Sequence, residues 1–168
     1  MELAHARVNM NLLVSEVYDF MKLAVEKKNL TFLLHLPPEP IITWCDPDKI
    51  RQVLINLIDN AIKFTEPGGQ IAMSLSLAAN HEIEIAVSDT GIGIRKADQT
   101  KVFEMFAQAA DIGTRRAGGT GIGLTLCREL LKLHGGKISI DSEYGKGSRF
   151  TVFLPYMYLQ AKPPLAVA

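Results

Sequence analysis

Three groups of polar and glycine residues carry the chemical groups in this sequence that suit a charged ligand. The first group contains Asn56, Asn60 and Lys63. On a helix, at about 100° per residue, these three side chains fall within roughly 60° of one another. Amide oxygens suit a hydrated Mg²⁺, and an ammonium group supplies a positive charge for phosphate. This pattern favours a polar cleft, with a solvated surface strip as the alternative.

The second group follows a predicted strand that ends at Asp89, in the sequence Asp-Thr-Gly-Ile-Gly. A partly buried aspartate only accepts hydrogen bonds, so it selects a ligand that donates, such as the exocyclic amine of adenine. Gly91 and Gly93 would let a purine ring lie against the backbone. The alternative is that Asp89 caps a helical turn near Arg95.

The third group is a run of glycines, at 118, 119, 121 and 123, that leads into a predicted helix from Leu124 to about residue 133. A glycine loop that opens a helix presents unpaired N–H groups and the positive end of the helix dipole, which suits phosphate. The spacing matches neither a P-loop nor the GxGxxG pattern. A flexible surface loop is the alternative interpretation.

The composition is that of one globular domain with a sizeable core, since 48% of the 168 residues are hydrophobic. The 18 basic and 18 acidic side chains cancel, so no basic surface for nucleic acid is expected. Cys45 and Cys127 have no metal-like spacing and are predicted to be core residues of a reduced protein. No apolar run has bilayer length. We therefore expect a cytoplasmic domain, with membrane attachment of the parent chain left open.

The elements that position the three groups follow from hydrophobic spacing. One helix is predicted from a cap at Asn11 to about Lys27, and a second starts at Asp46-Pro47 and runs to about Phe64. Strands are predicted at 30–36, 41–45, 71–77, 83–87, 137–140 and 149–154, the last four as two hairpins. This order predicts an α+β sandwich, with helices on one face of a mostly antiparallel sheet.

Together the three groups resemble the ATP-binding catalytic domain of sensor histidine kinases, in the Bergerat-type ATPase superfamily. The resemblance covers about residues 12 to 155. The sequence boxes of this family are matched, in chain order, by residues 52–65 (asparagine), 89–93 (first glycine), 103–106 (phenylalanine), 119–124 (second glycine) and 145–150 (final glycine). Each box is short, but their combination and order are specific.

The resemblance implies a Bergerat-type two-layer α/β sandwich with a mixed, mostly antiparallel sheet. ATP would lie between the asparagine helix and a lid at about residues 107–121, which we expect to be disordered or variable without nucleotide. The family often has an aromatic residue where this chain has Ala117, so looser lid packing is expected. Residues 1–10 are predicted to be the remnant of an upstream dimerisation helix, 11–155 the catalytic domain and 156–168 a tail or linker.

The site residues implied by the resemblance serve the metal, the phosphates and the base. Asn56 and Asn60 would be metal ligands, Asn56 and Lys63 would be catalytic, and Ser148 would support Asp89 beside the adenine. The implied nucleotide-binding residues are Asn56, Asn60, Lys63, Phe64, Asp89, Gly91, Gly93, Ile94, Arg115, Gly119, Thr120, Gly121, Ile122, Gly123, Leu124 and Ser148.

The implied activity is transfer of the γ-phosphoryl group of MgATP to a histidine on a separate dimerisation segment. None of the four histidines of this chain, at 5, 35, 81 and 134, stands in the Ser-His-Glu context of the family's phosphoacceptor. The hydrolytic relatives carry a glutamate where this chain has Asn56, and an amide cannot take a proton from water. The implied partners are the dimerisation domain of a homodimeric parent chain and a response regulator receiver domain.

Three other functions fit parts of the same pattern. The first is an anti-sigma-type serine kinase of the same superfamily, which would phosphorylate serine instead of histidine. The second is a nucleotide-gated interaction module without catalysis. The third is an α/β domain that binds no nucleotide, which requires all three groups to be coincidental.

Overall fold

Within the described residues, short strands alternate with three α-helices. The structure is a computed structural model and describes residues 1–103 and 122–157. In this part of the chain the elements are β1 (Ala6–Asn9), α1 (Met10–Lys27), β2 (Thr31–His35), β3 (Ile42–Cys45), α2 (Pro47–Phe64), β4 (Gln70–Leu77), β5 (Glu82–Asp89), a 3-10 turn (Lys96–Asp98), α3 (Ile122–Leu133), β6 (Lys137–Glu143) and β7 (Gly147–Pro155).

Five of the strands form one mixed sheet in the order β2-β4-β5-β7-β6. Strand β2 pairs with β4 in parallel, and the other pairs in this sheet are antiparallel. Both predicted hairpins are confirmed, because β4 pairs with β5 and β6 pairs with β7. Strands β1 and β3 form a separate antiparallel pair.

The hydrophobic core lies between one face of the five-stranded sheet and the helices. Residues aligned across neighbouring strands alternate between the two faces, so one row contains Met73, Val87 and Phe150, all buried. The opposite face carries partly buried polar residues such as Ser74 and Thr151. All three helices contact the sheet, which confirms the predicted two-layer α+β fold. Within the described residues, no helix has the length and apolarity needed to cross a bilayer.

The start of α2 agrees with its sequence signals, whereas the start of α1 differs. The Asp46 side chain accepts from the Lys49 N–H at 3.2 Å, so Asp46 is the predicted N-cap. Helix α1 is capped by Asn9, which accepts from the Leu12 N–H at 3.3 Å, and the predicted cap at Asn11 is wrong. The cap lies earlier because it is set by the end of β1, a strand that the sequence pattern does not reveal.

The first residues of the chain form part of the folded domain. Residues 1–10 were expected to be the remnant of an upstream helix, but Ala6–Asn9 instead pair with β3, and Leu3 is buried. This pairing satisfies backbone groups that an isolated helical turn would leave exposed. At the other end, the Met157 N–H donates to the Thr43 hydroxyl at 3.0 Å. The remainder of the predicted tail, 158–168, lies outside the described residues.

Candidate functional site

Helix α2 carries the asparagine group and is held at both ends. At its start, the Asp46 N–H donates to His134 Nε2 at 3.1 Å, and His134 Nδ1–H donates to the Leu130 carbonyl at 2.7 Å. These two bonds require a neutral imidazole, and burial lowers the pKa of His134. At its end, the Lys28 ammonium donates to the Ile62 carbonyl at 2.6 Å. The side chains of α2 therefore project from a fixed helix.

A cavity lies between α2, the end of β5 and strand β7. It is partly open to solvent. Its wall is mostly apolar with a few polar groups, which is typical of a small-molecule site. The lining residues are Asn60, Ala61, Phe64, Asp89, Ile92, Gly93, Ile94, Val102, Leu124, Ser148 and Phe150. Predicted nucleotide residues from four separate stretches of sequence thus meet around one space.

The Asp89 carboxylate supplies a hydrogen-bond acceptor in this cavity. Its Oδ1 accepts from the Gly91 N–H at 2.8 Å, and the Ser148 N–H also donates to the carboxylate. Burial raises the pKa of Asp89 above its usual value, and the two N–H bonds oppose this rise. The 3-10 turn after Arg95 has no side-chain cap, so the alternative in which Asp89 caps that turn is excluded.

The glycines after Asp89 allow two close backbone approaches. A methyl group at Gly91 would overlap the Phe64 carbonyl oxygen, which accepts from the Ile92 N–H at 3.1 Å. Gly93 has φ +71°, and a methyl group there would overlap the Glu143 carbonyl. The glycine segment is therefore fixed between the end of α2 and the β6–β7 turn.

Asn56 lies where α2 meets the first turns of α3. A Cβ atom at Gly123 would lie 3.8 Å from Asn56 Cγ. Burial raises the pKa of Cys127 to about 11, so the thiol keeps its proton at neutral pH and donates it to the Val53 carbonyl at 3.7 Å. The sulfur is then left to accept from Asn56 Nδ2 at 3.9 Å. This contact turns the amide nitrogen toward Cys127 and leaves the amide oxygen for another ligand.

Lys63 is not brought to the wall of the cavity. Its ammonium group lies 3.3 Å from an oxygen of Asp59, and both side chains are well exposed. Such an exposed i,i+4 pair contributes only about 0.3–0.5 kcal/mol. The ion pair therefore places Lys63 at the exposed edge of α2 without holding it there strongly.

Several predicted residues lie outside the described part of the chain: Phe106, Arg115, Gly119, Thr120, Gly121 and the remainder of the predicted lid at 107–121. Ile122 begins helix α3. Phe103 packs against the core, and its carbonyl accepts from the Thr125 hydroxyl at 2.9 Å. Phe103 is therefore a packing residue beside the core.

Among the described residues, no group of three or more His, Cys, Asp or Glu side chains could hold a metal ion. The donor set for Mg²⁺ predicted from the sequence consists of the amides of Asn56 and Asn60. Protein-bound Mg²⁺ usually keeps several waters and bridges to substrate phosphates. The asparagines therefore fit a Mg²⁺ that arrives with a nucleotide better than one held by protein atoms alone.

Four cavity residues were not predicted from the sequence: Ala61, Ile92, Val102 and Phe150. Phe150 belongs to a predicted strand, and Ala61 follows Asn60 on the predicted helix. The sequence therefore predicts the elements that carry these two residues but not that they line the cavity. Val102 lies in an irregular segment after the 3-10 turn. No local pattern there indicates that its side chain is buried.

Comparison with known proteins identifies the family of this site. Residues 45–157 match the family described as histidine kinase-, DNA gyrase B-, and HSP90-like ATPase. The chain belongs to this family. The matched region contains α2, the Asp89 segment, the start of α3 and the final hairpin, so family membership and the geometry concern the same residues.

Proteins similar to this chain include sensor histidine kinases. WalK of Bacillus subtilis (strain 168) is 39% identical over 148 residues, which are 84% of this chain and 24% of WalK. The nucleotide-free catalytic domain of histidine kinase ThkA matches 92% of this chain and 99% of that domain, with a TM-score of 0.80 and 29% identity. Full-length ShkA in complex with AMPPNP matches 96% of this chain and 33% of ShkA, with a TM-score of 0.83 and 28% identity.

ThkA is similar also in its complex with the response regulator protein TrrA, with a TM-score of 0.75 and 27% identity over 91% of this chain and 42% of ThkA. These comparisons confirm the predicted homology to histidine kinase catalytic domains. The chain spans about a quarter of WalK and a third of ShkA, so most of each relative lies beyond the compared region.

Proposed function

We propose that this domain binds MgATP and transfers its γ-phosphoryl group to a histidine on a separate dimerisation segment. The observation that carries the proposal is the Asp89 acceptor in a mostly apolar cavity, beside the helix that presents Asn56 and Asn60. Membership of the ATPase family and the AMPPNP complex of ShkA support nucleotide binding.

The cavity would receive the adenine base. Asp89 accepts two backbone N–H bonds and keeps lone pairs for the exocyclic amine. The apolar side chains around it, such as Ile94 and Phe150, would cover the faces and edges of the ring. A ligand with a carbonyl at the amine position would leave Asp89 opposite another acceptor, which is unfavourable.

The asparagine face of α2 would receive the phosphates. Asn56 and Asn60 would hold Mg²⁺ through their amide oxygens, and the ion would neutralise phosphate charge when bound. Lys63 would leave Asp59 to meet the phosphates, together with the predicted glycine loop at 119–124. Phosphoryl transfer depends mainly on positioning and charge neutralisation, so this set needs no covalent nucleophile.

The amide at Asn56 would keep bound ATP from hydrolysis. An amide cannot accept a proton from water, so the domain lacks a general base at this position. The phosphoryl group would then pass to an imidazole that another segment supplies. His134 does not fill this role, because it is buried and bonded on both ring nitrogens.

The same proposal includes the partners, the parent chain and the cellular location of the domain. The complex of ThkA with TrrA supports a response regulator as the protein that receives the phosphoryl group next. We further propose a homodimeric parent chain, a cytoplasmic location and no nucleic-acid partner. The dimerisation segment would precede β1 in the chain, and residues 156–168 would be a tail or linker.

The test is to incubate the domain with ATP labelled at the γ-phosphate and a histidine-bearing dimerisation segment. Label on the added segment that is labile to acid supports a histidine kinase, and label stable to acid favours a serine kinase. Nucleotide binding without transfer favours an interaction module, and rapid multiple-turnover hydrolysis by the domain alone favours an ATPase. Asn60→Ala should abolish transfer, whereas Gln52→Ala, at an exposed position of the same helix, should not.

A further inference from the structure

Ser142 on β6 joins three elements around the cavity. It lies opposite Ser148 on β7, and its hydroxyl oxygen has three neighbours within hydrogen-bond distance. The Ile94 N–H lies at 2.8 Å, the Gly147 carbonyl at 2.9 Å and the Ser148 hydroxyl at 2.8 Å. Ser142 does not line the cavity, but two of its neighbours, Ile94 and Ser148, do.

The chemistry of these neighbours fixes the direction of each hydrogen bond. An N–H group only donates and a carbonyl only accepts, while a hydroxyl has one proton and two lone pairs. Ser142 must therefore accept from Ile94 and give its single proton to Gly147. Its second lone pair is left for Ser148, so the Ser148 hydroxyl donates its proton to Ser142.

The position of Ser142 is itself braced. The side-chain amide of Gln99 donates to the Ile94 carbonyl at 3.1 Å and to the Ser142 carbonyl at 3.0 Å. The Gly145 N–H donates to the Ile92 carbonyl at 2.6 Å, which ties the same two segments together. The Ser142 side chain thus has little freedom to choose other partners.

The Ser148 hydroxyl, with its proton committed, has only lone pairs left for a ligand. It lies in strand register with Asp89, whose carboxylate also only accepts. We infer that Ser142 is a positioning residue for base selection: it holds Ser148 as an acceptor, so that the cavity favours a purine with an amine over one with a carbonyl. Without Ser142, the Ser148 proton would be free to turn toward a carbonyl.

This inference rests on the proposed function and is tested with Ser142→Ala. The assay is calorimetric binding of ATP and of inosine triphosphate, which carries a carbonyl in place of the adenine amine. The wild-type domain should bind ATP more tightly, and Ser142→Ala should lower this preference about 3- to 10-fold, the range expected for one hydrogen bond. Ser142→Thr keeps the hydroxyl and should retain the preference. Ser139→Ala, at an exposed position on the same strand, is the matched control.

A second variant separates base selection from simple loosening of the site. Ser148→Ala leaves Ser142 in place and should also lower the preference for ATP, and adding Ser142→Ala to it should cause no further change. Equal weakening of both nucleotides by Ser142→Ala, or a further change in the double variant, would overturn the inference. A wild-type domain that binds neither nucleotide would instead overturn the proposed function.

Discussion

Asp89→Asn should separate nucleotide binding from stability. The substitution replaces one carboxylate oxygen with an NH₂ donor in a cavity that would receive the adenine amine. The lost bond to a charged acceptor is worth about 1.5–3 kcal/mol, and the unpaired donor adds about 1–3 kcal/mol. Rotating the amide does not help, because its NH₂ would then face the Gly91 N–H. ATP binding should therefore weaken at least about 50-fold.

The same substitution should not destabilise the fold at neutral pH. Burial raises the folded-state pKa of Asp89, so the folded protein binds a proton more readily than the unfolded chain. Stability linked to this group is therefore present below the unfolded pKa of about 3.9 and is lost as pH rises through the folded pKa. Above both values, Asp89→Asn removes the cost of burying a charge, and its free energy of unfolding should equal or exceed that of the wild type.

The measurements are calorimetric ATP titration at pH 7 and urea unfolding between pH 7 and pH 4. The stability advantage of Asp89→Asn should shrink as the pH falls. Asp141→Asn, at an exposed position on β6, should change neither property. Wild-type ATP affinity in Asp89→Asn would refute the role of Asp89 in base recognition, and a clear loss of stability at pH 7 would refute the electrostatic reasoning.

Three further substitutions test separate contacts. Cys127→Ala frees the Asn56 amide to rotate, so it should weaken ATP binding about 3- to 10-fold in the presence of Mg²⁺ and leave ATP binding in EDTA unchanged. Calorimetric titration in both buffers measures the two affinities. An equal loss of ATP affinity in both buffers would contradict the orienting role of the Cys127 contact. Because the pKa of His134 is lowered, the unfolded chain binds a proton at a higher pH than the folded protein does. The free energy of unfolding of the wild type should therefore decrease as the pH falls below about 6.5, by at most about 1.4 kcal/mol per pH unit. Urea unfolding should show a flatter pH profile for His134→Gln, and an unchanged profile would assign the acid sensitivity elsewhere. Gly91→Ala should lower the free energy of unfolding by about 1–3 kcal/mol, because its methyl group would overlap the Phe64 carbonyl. A free energy of unfolding equal to that of the wild type would mean that the backbone there moves freely.

The parts of the fold that could be predicted from the sequence are those with local signals. Asp46-Pro47 marks the start of α2 because a capping side chain and a proline act on the next few residues. The two hairpins were predicted because strongly apolar strands flank short polar or glycine-rich turns. Strand β1 has only four residues, and its extended form depends on pairing with β3, so no pattern within it predicts a strand.

The candidate site shows the same limit. Asp89 and the asparagines of α2 were found because each stands in a short motif with a recognisable chemistry. Val102 lines the cavity, and the Ser142 hydroxyl contacts two of the lining residues. Both positions depend on distant partners, and neither residue stands in a local motif. The contact between Lys63 and Asp59 was not predicted either, because sequence spacing allows an i,i+4 pair without showing which partner a lysine prefers.

The pairing of β5 with β7 has a consequence for the order of folding. Asp89 and Ser148 are aligned in this pair, although α3 and β6 lie between them in the chain. Contacts between such distant residues carry a loop-closure cost and form slowly, whereas the neighbouring β4–β5 hairpin can form early. The cavity should therefore be among the last features to mature during folding. A chain growing from its N-terminus would have no complete base pocket until β7 has been synthesised, and truncation before β7 would remove nucleotide binding.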